Sequence, residues 1–390
     1  MSVNTMNFEQ AAAVLNNIRK QVTGETAAAP VNTSQFISIG TTILQAGYEP
    51  TLSAITQMIA KTIFSIRPYN RKFGGIKMDE QQWGAIVRKL AIVDTDWETD
   101  THYDLIDGQS MDHYVIKKSP VLQLNFYGQN VFERHMTIYT NQLDSAFANP
   151  SEFGRFMAML TQNIMDMIEQ NHESIARMTI GNFIGAKVSQ NNGVIHLLTE
   201  YNAETGITPA LTATTVYDPQ YFGDFCKWMF ARIATLTSLM TERSQEFQIN
   251  VTGKAINRHT PFDMQKVYIY APLMNEMKSR VLSATFHPEF IDYADVEAVN
   301  YWQSIQSPMR LNVTPVYLKA DGTYDTAAAQ NITNLVGFIF DRDALGYTMV
   351  NERAAVTPLN AKGLYFNQYW HETSRWYNDQ SEKAVVLLLD

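Results

Sequence analysis

Apolar residues recur at spacings of three and four from Asn149 to about Ala186, which predicts one long amphipathic helix. The stripe reads Phe153, Phe156, Met157, Leu160, Ile164, Met167, Ile168, Ile175 and Met178. Asn149 is placed to cap, Pro150 suits the first helical position, and Glu152 sits where it can reach back to the cap. Unbroken, such a helix is roughly 55 Å long at about 1.5 Å per residue, far above the usual globular helix. The pattern stops near Gly181 and Gly185, and Gln190-Asn191-Asn192-Gly193 reads as the following turn. Helix statistics alone favour a core helix of a large α+β enzyme; the flanking patterns change that reading.

Ahead of the helix, residues 7–22 form an amphipathic segment with Phe8, Ala11, Ala12, Leu15 and Ile18 on one face. Thr23–Ser34 reads as a linker. An apolar stretch runs from Phe36 to Phe64, with Pro50 opening a helix through Leu52, Ile55, Ile59 and Ile63. This front is extended and linker-broken, an arm more than a domain. Two strands follow, Gly84–Val93 and Val121–Tyr127. In the second, Leu122, Leu124 and Phe126 alternate with Gln123 and Asn125, and Pro120 places it at an edge or bend. Arg71–Asn130 is therefore expected to be a long two-stranded arm. An isolated hairpin is marginal in water, so the arm needs a surface to lie on.

Behind the helix, Asn191–Thr215 reads as strand and loop. Asp218-Pro219 caps a second long helix, striped by Phe222, Phe225, Trp228, Met229, Ile233, Leu236 and Met240, which is core and not a cofactor box. Val267–Tyr270 is a strand, Pro272 opens a helix to about Ser283, and Val296–Tyr301 and Leu311–Leu318 are strands before an Asp321-Gly322 turn. Residues 200–332 thus read as a compact α/β unit. The chain closes with Val336–Phe340, an aromatic run (Tyr369, Trp370, Trp376, Tyr377) and a last strand, Ala384–Leu389. That strand is too apolar for a frayed tail and belongs inside a sheet.

Charge changes the picture of the arm. Lys61, Arg67, Arg71, Lys72, Lys77, Arg88 and Lys89 stand against only Asp79 and Glu80. The sign then reverses: Asp94, Asp96, Glu98, Asp100, Asp104, Asp107 and Asp112 have no Lys or Arg among them. Asp94, Asp96, Asp100, His102 and Asp104 invite a calcium reading, but the loop lacks the turn glycine and closing glutamate of an EF-hand. A solvated tip, or one that docks on a basic neighbour, is favoured. The 390-residue chain carries 18% charged and 12% aromatic residues, a balance suited to burying surface against partners. Its formal charge of −9 disfavours a tight grip on nucleic acid.

Candidate chemistry adds little. The single cysteine, Cys226, excludes an intrachain disulfide and suits a buried helix face. The first residues have no signal-peptide pattern and no run of eighteen apolar residues occurs, so a cytoplasm-like compartment is expected. The sequons at Asn32, Asn250, Asn312 and Asn331 are then chance matches. Phosphate-loop, nucleophile-elbow and zinc-protease motifs are absent, and no two of the eight histidines have helical metal spacing. No catalytic, cofactor-binding or metal residue is assigned.

The order of parts, together with Thr140–Phe147 leading into the long helix and the ending Phe340–Gly346, Arg353, Asn367, Arg375, Tyr377-Asn378-Asp379 and apolar last strand, resembles the major capsid proteins of tailed bacteriophages. The resemblance implies the α+β Hong Kong 97-type capsid fold: an N-terminal arm (1–70), an extended loop (71–130), a peripheral domain (131–215 and 333–390, with spine helix 149–186) and an axial domain (216–332). It implies an icosahedral shell of pentamers and hexamers enclosing double-stranded DNA, assembled in a bacterial cytoplasm. A separate scaffolding protein, because the front is short and shows no long coiled coil, and a portal protein are the expected partners. DNA is held only by weak proximity, with no membrane and no cofactor, and the compact length suits a small short-tailed phage. Arg71, Lys72, Lys77, Asp96, Asp100 and Asp104 are the candidate inter-subunit contacts, the charge reversal setting register. Some family members cross-link a loop lysine to a peripheral-domain asparagine; Lys72 or Lys77 with Asn367 or Asn378 are the formal candidates. An encapsulin-type compartment would share the fold and hold cargo enzyme instead of DNA. A tail-tube protein would be mostly β, and a soluble α+β enzyme would be a small oligomer with a pocket.

Overall fold

A computed structural model describes residues 8–25, 28–55, 73–78, 87–92, 106–110, 114, 116, 118, 121–126, 129–250, 256–280, 295–319 and 321–390. Its central element is the spine helix α4, Pro150–Ser189, about 60 Å long at about 1.5 Å per residue. The Asn149 side chain accepts from the Ser151 N–H at 3.0 Å, and Pro150 occupies the first turn. Glu152 does not complete the cap; it pairs with Arg155 at 3.1 Å.

The helix is this long because it serves two cores. Its first half buries Phe153, Phe156, Met157, Leu160, Ile164 and Met165 against α1 (Phe8–Thr23), α2 (Thr33–Gln45) and α3 (Thr140–Phe147). Leu15, Ile18, Phe36, Ile43, Leu52 and Ile55 complete that cluster, so the helices of the front segment pack on the spine helix. Residues 48–55 are helical with Pro50 in the first turn; Ile59 and Ile63 lie outside the described residues.

The second half of the spine helix buries Ile175, Ala176, Ile180, Phe183 and Ile184 on one face of a five-stranded mixed sheet. The sheet order is β4 (Val194–His196), β14 (Ala384–Leu388), β11 (Leu335–Asp341), β5 (Gln265–Tyr270), β6 (Asp295–Val299). The last strand therefore sits inside the sheet, parallel to β4 and antiparallel to β11. Alternate residues of β14 face opposite cores: Ala384, Val386 and Leu388 meet the spine helix, while Val385 and Leu387 meet a second layer. That layer is α5 (Leu197–Thr205) and α6 (Pro219–Thr241), with Cys226 buried in it. A sheet covered on both faces requires near-continuous apolar strands, which is what Ala384–Leu389 supplies.

Four details depart from the sequence reading. The helix runs through Gly181 and Gly185; these are close-packing positions, where an added Cβ would meet Leu311 Cδ1 at 3.2 Å and Val313 Cγ1 at 2.5 Å respectively. Met178 turns outward, 62% exposed. The 191–215 segment contains α5, ended by Gly206 at φ +66°. The Leu311–Leu318 strand is two, β7 (Leu311–Val313) and β8 (Val316–Leu318), broken at Thr314-Pro315. β7 pairs with β10 (Gln330–Ile332), and β8 pairs with β9 (Tyr324–Thr326) around the Asp321-Gly322 turn. Helix α7 (Ala271–Arg280) follows β5.

A three-stranded antiparallel sheet, β12 (Leu345–Val356), β13 (Tyr365–Asn378), β3 (Asn130–Tyr139), lies along the spine helix. From this body a separate two-stranded ribbon departs, β1 (Val87–Ile92) and β2 (Val121–Phe126). They pair antiparallel with Val87 opposite Phe126 and Ile92 opposite Val121. Among the described residues, no helix is long and apolar enough to cross a membrane.

Candidate functional site at the base of the ribbon

Strand alternation gives the ribbon two unlike faces. Lys89, Leu124 and Phe126 point toward the body, and Arg88, Leu90, Ile92, Val121, Gln123 and Asn125 point away. Leu90, Ile92 and Val121 are 62%, 68% and 58% exposed. Because Leu90 faces Gln123 and Ile92 faces Val121 across the pair, the outer face carries a contiguous apolar strip.

The inner face ends in a polar seat. Lys89 Nζ lies 2.9 Å from Asp379 Oδ2 and 2.5 Å from Glu382 Oε1, and donates to the Asp343 carbonyl at 3.1 Å. Asp379 is fully buried; its other oxygen accepts from the Ser381 N–H at 3.0 Å and hydroxyl at 2.5 Å. Arg258 reaches both Glu382 and, at 3.1 Å, Ser381. Asp341 accepts from the Thr260 hydroxyl at 2.7 Å and the Asp343 N–H at 2.8 Å. The Phe126 ring packs on Tyr377 at 5.3 Å. Burial disfavours the Lys89 ammonium, but the Asp379 and Glu382 carboxylates outweigh it and its pKa is raised. Burial pushes the Glu382 and Asp341 carboxyls up, against the pull of Lys89 and, for Glu382, of Arg258. The arrangement holds the ribbon by one cation on buried anions and by one ring on another.

The seat gathers the two terminal motifs, Phe340–Gly346 and Tyr377–Asp379, around one lysine. Lys89 was legible only as one of two charges interrupting an apolar strand. Of the sequence-derived contact candidates, Arg71, Lys72, Asp96, Asp100 and Asp104 lie outside the described residues, as do Asp94 and His102 of the calcium reading. Lys77 is described: it bridges Tyr347 of β12, and the next amide, Met78, donates to the Tyr347 carbonyl at 2.9 Å. This stitches the chain to the body shortly before the ribbon begins. Of the cross-link candidates, Asn378 is buried and donates to the Thr179 carbonyl at 3.1 Å. Asn367 accepts from the Thr137 hydroxyl at 2.8 Å.

A family model described as Phi29-like phage major capsid protein matches residues 15–388. The chain belongs to that family. It is a major capsid protein of a tailed phage, a structural component of the virion head shell and not an enzyme. The capsid protein is similar in fold to a chain in the capsid structure of Staphylococcus phage Andhra, with TM-score 0.53, 12% identity, and coverage of 84% of this chain and 86% of that one. It is likewise similar to a chain in the structure of head fiber and inner core protein gp22 of native bacteriophage P68, with TM-score 0.53, 11% identity, and coverage of 82% and 85%. Identities this low carry the fold alone: a mixed α+β architecture of the Hong Kong 97 type. No curated protein matches the chain.

Proposed function

We propose that this capsid protein builds an icosahedral, DNA-containing shell in which the ribbon of each subunit lies on a neighbouring copy. The observation that carries the reading is the ribbon's asymmetry. Its inner face is fixed to its own subunit through Lys89 and Phe126, while Leu90, Ile92 and Val121 form an outward apolar strip. A two-stranded ribbon with one bare apolar face gains stability from a surface that covers that face.

In this reading residues 1–70 act as the N-terminal arm, 71–130 as the extended loop, 131–215 and 333–390 as the peripheral domain, and 216–332 as the axial domain. The packing of α1 and α2 on the spine helix supports an arm that docks on its own subunit. Arg71, Lys72 and Lys77 at the loop's root and Asp96, Asp100 and Asp104 toward its tip are complementary in sign, which suits head-to-tail register between copies. Scaffolding and portal proteins are the proposed assembly partners. The formal charge of −9 suits a wall that does not bind its packaged DNA tightly. The test is the double charge reversal Asp100→Lys/Asp104→Lys. Folded subunits that fail to close shells are expected; normal shells would overturn the register role.

A further inference from the structure

Away from the ribbon, the spine helix meets the β12–β13 hairpin at a cluster of three ligating side chains: His172, Glu352 and Glu372. One donor atom from each lies within 4.8 Å of the other two. The two glutamates are direct cross-strand partners in the antiparallel register of β12 and β13. Like charges so placed repel, and the repulsion is poorly screened where the His172 side chain is fully buried and that of Glu372 is 13% exposed. Glu372 contacts His172 Nε2 through one oxygen and accepts from Asn171 Nδ2 at 3.2 Å through the other, so the helix orients it. A cavity of about 480 Å³ adjoins the cluster, lined among others by Asn171, Glu352, Arg353, Trp370 and Glu372. The buried indole N–H of Trp370 has no hydrogen-bond partner there.

We propose that His172, Glu352 and Glu372 bind a divalent transition cation of the zinc class, with water from the adjoining cavity completing its coordination. One imidazole nitrogen and two carboxylate oxygens make a mixed donor set that suits zinc, whereas calcium and magnesium prefer oxygen alone. His172 Nε2 and Glu372 Oε1 are in direct contact, so that contact opens for both atoms to ligate one ion at about 2.0–2.2 Å. The cation offsets the repulsion between the facing carboxylates and ties the helix to a hairpin far away in sequence. Arg134 and Arg353 also line the cavity and are the competing counter-charges for the two glutamates, while His371 lies 3.8 Å from Glu133.

The test uses the full-length chain, equilibrated with zinc, desalted, and assayed by plasma mass spectrometry; cobalt(II) replaces zinc for visible absorption. Wild type is expected to retain about one zinc per chain and to give the ligand-field bands of an imidazole–carboxylate site. Glu352→Gln, at a partly exposed strand position, and His172→Gln are expected to weaken retention at least tenfold and to abolish the bands. If His172→Gln does not fold, Glu352→Gln decides alone. Wild type without zinc above a buffer control, or Glu352→Gln with retention and bands unchanged, would overturn the proposal and leave His172 as a hydrogen-bond partner of Glu372.

Discussion

Replacing Lys89 by methionine keeps the length of the side chain and removes its charge. Asp379, fully buried, then loses its cation, and Glu382 keeps only Arg258. Removing one partner of a buried ion pair costs about 3–5 kcal/mol, mostly because the other charge is left uncompensated. Two features reduce this: Arg258 still serves Glu382, and the Lys89 side chain is 23% exposed, so water reaches the seat. About 2–3 kcal/mol remains, most of it acting on attachment of the ribbon and little on the five-stranded core. At about 1.4 kcal/mol per factor of ten, the ribbon should open roughly 30- to 150-fold more often. Native-state amide hydrogen exchange reads this directly. In soluble Lys89→Met, amides of 87–92 and 121–126 should lose protection by that factor, while those of 384–388 stay unchanged. Adding Asp379→Asn should restore part of the protection, since the stranded charge is the main cost. Ribbon amides that exchange within about threefold of wild type would refute the argument that Lys89 holds the ribbon down.

Three further outcomes follow from the packing. Gly185→Ala should destabilise the fold, because its Cβ would press on Val313 and Pro315 at 2.5 and 3.1 Å; overpacking costs about 1–3 kcal/mol against about 1 kcal/mol gained in helix propensity. Gly181→Ala meets only the tip of Leu311 at 3.2 Å and should be neutral or stabilising; the urea midpoints of the two variants should therefore separate, and equal midpoints would contradict the contact geometry. Burial lowers the Lys187 ammonium from 10.5 to about 7 while its amine donates to Phe247 O at 2.7 Å and Asn192 Oδ1 at 2.9 Å. Between those pH values the unfolded chain holds a proton that the native state has released, so this lysine makes stability rise with pH. Relative to Lys187→Met, wild type should gain about 2 kcal/mol between about pH 7 and 9 in denaturant unfolding; a pH-independent difference would contradict it.

Much of the architecture was legible because it is periodic. The spine helix announces itself through its stripe and its Asn149-Pro150 start, and the last strand through an apolar run that only a covered sheet accommodates. The errors occur where a residue type has two physical uses. Gly181 and Gly185 look like stops, yet they let Leu311, Val313 and Pro315 approach the helix backbone. Helix α5 was hidden in a polar stretch, although Leu197, Leu198 and Tyr201 on one face and Gly206 at its end were available signals. The polar seat was not legible, because Lys89 and Asp379 meet across 290 residues without any local pattern. The same holds for His172, Glu352 and Glu372, which come from one helix and two strands; searching for helical histidine pairs does not detect such a set. All of the acidic stretch but Asp107, the clearest charge signal in the chain, lies outside the described residues, and its role rests on complementarity alone.

Electron microscopy of the full chain produced together with its scaffolding partner tests the central claim most directly. The account predicts closed shells of uniform size whose subunits each extend the β1–β2 ribbon over a neighbour. A small oligomer of a few chains at every salt concentration, with the apolar strip of Leu90, Ile92 and Val121 folded against its own subunit, would contradict it.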